Sequence, residues 1–263
     1  MSDGEQDGAE QDGDSAMEAE FDVVARWTQE AVERLGQDHA LPAACRGSAS
    51  PAALAWLGEA CELRRGARLV DVGGGTGGPA AYAAERYGVA PLVVEPMAGA
   101  CRTAAALFGL PVAVGSGEHL PVADGAVDAA WCIGVLCTTT EKAAVLRELR
   151  RVLPGGGPLG LMVLVAARAD LRDVPEGNAF PTEDELADLL AAAGFDVVEQ
   201  VGTDEFPAAP QSWTARADRV EEAVRDAHGA DPRFGTAGEQ EERMGRLLRD
   251  GDVRGVLVHA VAR

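Results

Sequence analysis

The stretch that decides the fold is Leu69-Val70-Asp71-Val72-Gly73-Gly74-Gly75-Thr76-Gly77-Gly78. It reads as a short apolar strand that breaks into glycines, and an alanine-rich helical segment follows at once from Pro79 to Arg86. Glycine accepts the positive φ angles of a tight ligand-binding turn. The first turn of a helix presents free N–H groups and a partial positive charge. The stretch therefore predicts a nucleotide-type site at the carboxyl edge of a parallel sheet.

The glycines fit two nucleotide-binding patterns. One is the dinucleotide fingerprint G-x-G-x-x-G, met by Gly73, Gly75 and Gly78. The other is G-x-G-x-G with an acid two residues ahead, met by Gly73, Gly75 and Gly77 behind Asp71. This second pattern resembles motif I of the class I S-adenosylmethionine (SAM) dependent methyltransferases. Glu95 ends the next apolar run and suits either family, because both place an acid there for ribose hydroxyls.

Three later stretches favour the methyltransferase interpretation. The sequence G-E-H-L-P-V-A-D-G-A-V-D-A-A-W at 117–131 resembles the family's G-D-A-E-x-L-P-F-x-D-x-x-F-D. E-L-R-R-V-L-P-G-G at 148–156 is similar to its E-x-x-R-V-L-x-P-G-G, one residue shorter before the proline. L-L-A-A-A-G-F-D-V-V-E at 189–199 resembles its last helix and sixth strand. The resemblance covers roughly residues 67–201, with 253–262 as a last strand, and favours SAM over a nicotinamide or flavin.

Strand and helix patterns alternate through this region, which predicts an α/β fold with a parallel sheet wound on both faces. The resemblance implies seven strands in the order 3-2-1-4-5-7-6, with the last strand antiparallel. We divide the chain into five segments: a disordered acidic tail (1–19), N-terminal cap helices (20–62), the SAM-binding Rossmann-like core (63–203), a helical lid insertion (204–252) and the last core strand (253–263).

The resemblance also implies the cofactor contacts. Motif I would hold the methionyl half of SAM, Glu95 would accept both ribose hydroxyls, and the product would be S-adenosylhomocysteine. The residues assigned to the cofactor are Asp71, Gly73, Gly75, Gly77, Glu95, Pro96, Met97, Ser116, Gly117, Glu118, Leu120, Cys132 and Ile133. The chain departs from the family at Ser116, where an acid usually binds the adenine amino group. A hydroxyl accepts that bond more weakly, and Glu118 is the alternative acceptor.

Catalytic and acceptor-binding residues are expected outside the glycine loop. Methyl transfer depends mainly on positioning and desolvation, although an acceptor hydroxyl usually requires a base. His39, in the N-terminal loop, is the candidate base. Trp27, Trp56 and Trp213 lie in the cap segments and are candidates for an apolar acceptor pocket, with core packing as the alternative.

Composition limits the partners. The chain of 263 residues has a net charge of −20, and its first 20 residues hold eight acids and no base. Such a tail cannot bury enough apolar surface to order itself. Nucleic acid is disfavoured, since phosphate binding needs clustered Lys and Arg. The five cysteines show neither a CxxC pair nor a metal-ligand spacing, which favours a reduced cytoplasm and no metal. No apolar run is long enough to span a membrane.

These observations predict a cytoplasmic bacterial methyltransferase that acts on a small molecule, in specialised metabolism, with a homodimer left open. The alternative is a protein of the same fold that binds SAM but catalyses a cyclase-like or lyase-like reaction. A third interpretation, a nicotinamide oxidoreductase, predicts NAD(P)H binding instead.

Overall fold

The computed structural model describes the backbone of residues 8–263 and the side chains of residues 22–263. One seven-stranded sheet has the order β3-β2-β1-β4-β5-β7-β6. Its strands are β1 (Arg68–Val72), β2 (Ala90–Glu95), β3 (Val112–Val114), β4 (Ala129–Ile133), β5 (Pro158–Ala166), β6 (Phe195–Gly202) and β7 (Val253–Ala262). Neighbouring strands are parallel except where β7 pairs with β5 and β6. The predicted strand order and the antiparallel last strand are confirmed.

The helices in the described part of the chain surround this sheet. They are α1 (Gly8–Leu35), α2 (Ala40–Ala44), α3 (Pro51–Ala60), α4 (Gly78–Tyr87), α5 (Ala98–Phe108), α6 (Lys142–Val152), α7 (Glu183–Ala193), α8 (Gln211–His228) and α9 (Pro232–Arg249). The predicted last strand at 253–262 matches β7, and the predicted helix after the glycines matches α4 to within one residue at each end. Ser50 caps α3, since its side chain accepts a hydrogen bond from the Ala53 N–H at 3.2 Å.

The N-terminal region differs from the prediction in two places. Residues 1–7 of the predicted disordered tail lie outside the described residues. From Gly8 onward the backbone is helical, so α1 begins well before the predicted start near Glu20. Residues 8–19 include three Ala, two Glu, one Gln and one Met, which favour helix, and acids are favourable near a helix N-terminus. The structure also forms α2 where a loop was predicted, because Pro42 falls in its first turn, where proline is tolerated.

Two apolar cores lie on opposite faces of the sheet. On one face, α6 and α7 pack over β1, β4 and β5 around Leu146, Leu149 and Leu161. On the other face, α3 packs around Leu57, Trp131 and Met162. A third cluster lies outside the sheet, where α1 and α8 meet at Trp27, Val32 and Val220. The N-terminal helix and the insertion therefore share a core, next to the helix that follows β2.

Candidate functional site

Four loops meet at the carboxyl edge of the sheet. The register pairs Val72 at the end of β1 with Val94 of β2 and with Cys132 of β4. Glu95, the last residue of β2, pairs with Val114 of β3. The glycine loop, the turn after Glu95, the segment 115–120 and the loop after β4 consequently lie side by side. This is the edge at which parallel α/β sheets bind ligands.

The glycine loop forms an open cradle centred on Gly75. Gly73, Gly75 and Gly77 have φ angles of 66°, 54° and 82°, which side chains rarely accept. A Cβ atom at Gly73 would lie 2.3 Å from Cγ2 of Val135, and one at Gly77 would lie 2.9 Å from Cβ of Ala104. A Cβ atom at Gly75 would meet no atom within 4 Å. Gly73 and Gly77 are therefore needed for packing, whereas Gly75 faces free space that a ligand can occupy.

Glu95 lies at one side of the cradle and joins it to the next turn. Its Oε2 accepts a hydrogen bond from the Gly75 N–H and its Oε1 accepts one from the Met97 N–H, both at 3.0 Å. The side chain is 2% exposed. Burial raises the pKa of Glu95, and the two backbone donors oppose that rise. Each carboxylate oxygen has a second lone pair, so the group can still accept two hydroxyls of a ribose.

Asp71 lies beneath the cradle and lacks a hydrogen-bond partner. It is fully buried, and neither carboxylate oxygen makes a hydrogen bond. A Cβ atom at Gly74 would lie 2.8 Å from Oδ2 of Asp71, which places the carboxylate directly below the loop. Burial raises its pKa to about 7 and the charge of Glu95 adds to the rise, while the nearby Ala80 N–H of α4, which is outside hydrogen-bond geometry, acts weakly in the opposite direction. An unpaired acid at this place favours a ligand with a cationic group over the loop, as the sulfonium and amino groups of SAM would be.

The segment predicted to hold adenine is only partly open. Pro96 is exposed and Met97 is half-buried, so both are accessible beside Glu95. Ser116 and Gly117 are half-buried in the neighbouring loop, and Oε1 of Glu118 accepts a hydrogen bond from the Thr139 hydroxyl at 3.2 Å. Leu120 differs from the prediction, because it is 6% exposed and belongs to the core on the α6 face. The structure assigns Leu120 to packing beneath the loop rather than to an open surface of the site.

The two residues predicted at the end of β4 are core residues rather than open surfaces of the site. Cys132 is fully buried in the core on the α6 face, and Ile133 is 7% exposed in the core on the opposite face. The residue that touches the glycine loop is Val135, two positions beyond the strand. Val135 was not among the residues assigned to the cofactor, because its contact depends on how β1 and β4 are aligned.

The structure separates the three predicted pocket tryptophans. Trp27 is 2% exposed and stacks on His228, with the ring centroids 4.4 Å apart. The burial of Trp27 contradicts its predicted place in an acceptor pocket. Trp27 is a core residue of the cap, because α8 covers the apolar face of α1. Trp56 is half-buried and contacts Phe206 edge-on, with the ring centroids 6.2 Å apart. Trp213, from α8, is half-buried against the same core cluster as Trp56.

The cap touches the cradle at the end of α2. A Cβ atom at Gly78, the first residue of α4, would lie 2.3 Å from the Ala44 carbonyl oxygen. His39 lies in the 3₁₀ turn just before α2, half-buried, with Nδ1 3.2 Å from the Gly36 carbonyl oxygen. The hydrogen bond described for His39 is therefore local, and its role as a base stays a prediction.

The described residues contain no group of three or more His, Cys, Asp or Glu placed to hold a metal ion. All five cysteines are buried as free thiols. From residue 8 onward, no helix combines the length and apolar character that crossing a bilayer would require.

Comparison with known proteins agrees with this geometry. Residues 70–161 match the family model described as a methyltransferase domain. The chain is 34% identical over 158 residues to a malonyl-[acyl-carrier protein] O-methyltransferase of Geobacter sulfurreducens, which covers 53% of this chain and 59% of that protein. It is 29% identical over 161 residues to the methyltransferase GfsG of Streptomyces halstedii, which covers 54% and 58%. The matched region thus spans less than two thirds of these curated relatives.

The fold also agrees with solved structures. The crystal structure of the [4+2]-cyclase SpnF superposes with a TM-score of 0.63 at 25% identity, over 80% of this chain and 79% of that one. The glycine cradle, the acid that ends β2 and the strand order are those that the resemblance to class I SAM-dependent methyltransferases implies. Residues 70–161 therefore resemble a methyltransferase domain.

Proposed function

We propose that the protein transfers the methyl group of SAM to a small organic acceptor. The observation that carries this proposal is the arrangement of Glu95 and Gly75. The carboxylate is fixed by two backbone donors, and it borders free space over the one loop glycine that has no neighbour within 4 Å. Such a group suits a nucleoside ribose, and the buried Asp71 carboxylate below suits a cationic cofactor better than an anionic pyrophosphate.

SAM supplies an electrophilic methyl group on a leaving group that is already cationic. What this chain adds is position and exclusion of water. Glu95 would fix the ribose through hydrogen bonds to a charged acceptor, which are about twice as strong as neutral ones. The glycine loop would let the backbone approach the methionyl part. Asp71 would add an attractive charge from below, since charges in a low-dielectric interior interact more strongly than charges in water.

The cap suggests where the acceptor enters. Trp56 and Trp213 come from α3 and α8, and both border the apolar core that ends at Ile133 near the carboxyl edge. Phe206 lies beside Trp56, and we assign the acceptor to an aromatic wall made of this pair together with Trp213. The insertion would then act as part of a lid, together with α1. An apolar small molecule of bacterial specialised metabolism fits this wall.

Incubation of the protein with methyl-labelled SAM and a metabolite extract tests the proposal. We expect label in a low-molecular-weight product and an equal amount of S-adenosylhomocysteine, and neither with Gly75→Val. The solved relative SpnF is a cyclase, which favours one second candidate: a reaction of the acceptor without methyl transfer. A new product without label would support that candidate and overturn the proposal.

A further inference from the structure

The N-terminal segment binds along the whole length of α5, the helix that follows the ribose acid. Near the start of α5, Oδ1 of Asp22 accepts a hydrogen bond from the Gly99 N–H at 2.8 Å. Near its middle, the Thr103 hydroxyl donates to Oε1 of Gln29 at 3.5 Å. At its end, Nε2 of Gln37 donates to the Leu107 carbonyl at 2.7 Å. Polar groups from α1 and the following turn thus hold both ends of α5.

Asp22 replaces a cap that α5 lacks. The N-cap residue of α5 is Met97, which has no side chain able to accept a hydrogen bond from the first turn, and that turn contains no acid. A carboxylate at this position satisfies a free N–H group and interacts favourably with the helix dipole. The fit is close: a Cβ atom at Gly99 would lie 2.7 Å from Cγ of Asp22 and 3.0 Å from its Cα. The contact therefore requires glycine at position 99.

Met97 links the Glu95 carboxylate to the first turn of α5. The Met97 N–H donates to Oε1 of Glu95, and the Met97 carbonyl accepts a hydrogen bond from the Cys101 N–H at 3.1 Å. Met97 therefore holds the Glu95 carboxylate on one side and begins the helix on the other. If the first turn frays, one of the two donors that orient Glu95 loses its fixed position.

We infer that Asp22 is a positioning residue for the adenosine half of the cofactor site. It acts through Gly99 and Met97 to keep the Glu95 carboxylate oriented toward the ribose, although it lies on a different helix far away in sequence. The inference rests on the proposed function, because it takes the ligand over Glu95 to be SAM or its product. It also makes α1 a functional part of the site rather than a cover for the sheet.

Calorimetric titration of the full-length protein with S-adenosylhomocysteine tests this inference. We expect Asp22→Ala to raise the Kd about tenfold. Asp22→Asn should recover most of the affinity, because its amide oxygen still accepts the Gly99 N–H. The matched control is Gln37→Ala, which removes a hydrogen bond from the other end of the same helix. It should lower the melting temperature to a similar extent and leave the Kd within twofold.

A second variant reaches the same contact from α5. Gly99→Ala keeps the Asp22 charge but displaces its carboxylate, so we expect the same loss of affinity as in Asp22→Ala, and this variant decides the matter if Asp22→Ala does not fold. Two results would overturn the inference, provided that the wild type binds S-adenosylhomocysteine. One is an unchanged Kd in Gly99→Ala or Asp22→Ala. The other is a loss of affinity in Gln37→Ala equal to that in Asp22→Ala. Failure of the wild type to bind S-adenosylhomocysteine would instead overturn the proposed function, and this inference with it.

Discussion

The buried acid beneath the glycine loop predicts an unusual dependence of stability on pH. Asp71 is fully buried, and its pKa rises from an ordinary 3.8 to about 7. The folded state thus binds this proton more tightly than the unfolded state. The stability that the protonated form contributes is complete at acid pH and is lost as the pH rises from about 4 through 7. At 1.36 kcal/mol per pKa unit, the total loss is about 4 kcal/mol.

About 2 kcal/mol of this loss falls between pH 5.5 and pH 8, a range that avoids precipitation near the pI of about 4.5. The substitution Asp71→Asn removes the titration. We expect wild-type protein to lose about 2 kcal/mol more than Asp71→Asn over this range when both are free of ligand. Urea denaturation at several pH values measures the difference. The cost of burying the amide does not depend on pH, so it cancels from the comparison.

Asp128→Asn is the control. Asp128 pairs with Arg68 at the opposite edge of the sheet, and hydrogen bonds from Arg68 lower its pKa to about 2. Its contribution to stability is present above pH 4 and disappears only in stronger acid, so this variant should follow the wild-type slope between pH 5.5 and 8. Equal slopes for wild type and Asp71→Asn would refute the reasoning, because Asp71 would then titrate as an ordinary carboxyl group.

Three further predictions concern the site and the cap. Gly75→Val should abolish cofactor binding in calorimetry, because the valine side chain would fill the cradle. Gly125→Val is the control: Gly125 has a φ of 60° and no atom within 4 Å of a Cβ atom placed there, but it lies away from the carboxyl edge, so this variant should bind normally. Cofactor binding by Gly75→Val would contradict the assignment. Glu95→Ala should weaken S-adenosylhomocysteine binding by about 1.5–3 kcal/mol, the scale of hydrogen bonds to a charged group; an unchanged Kd would remove Glu95 from the site. Trp27→Ala should cost about 3–5 kcal/mol of unfolding free energy, and a variant as stable as the wild type would contradict the place of Trp27 in the core. Trp56→Ala should mainly raise the KM for the acceptor.

Local signals were sufficient to predict the alternating strands and helices, whereas the strand order came from the resemblance to the methyltransferase family. Glycines end β1, and Glu95 closes β2. These signals are short-range, so they also placed the helix after the glycines to within one residue at each end. The ligand edge followed from them, since parallel strands that end together bring their loops together.

Contacts between distant segments were not predictable in the same way. Core packing was the stated alternative for Trp27, but the sequence could not show that α8 covers it. Asp22 carries no local signal, because its partner Gly99 becomes a neighbour only when α1 packs along α5. Leu120 was assigned to the site, and Val135 was left out of it, for a related reason: their surroundings depend on how β4 and the loop before it pack against the core.

The most direct test of the account is a crystal structure of the protein with S-adenosylhomocysteine. The account predicts both ribose hydroxyls within hydrogen-bond distance of the Glu95 carboxylate and the amino-acid part of the ligand over Gly75. A pyrophosphate-containing nucleotide retained over the glycine loop, or an empty carboxyl edge at saturating S-adenosylhomocysteine, would contradict it.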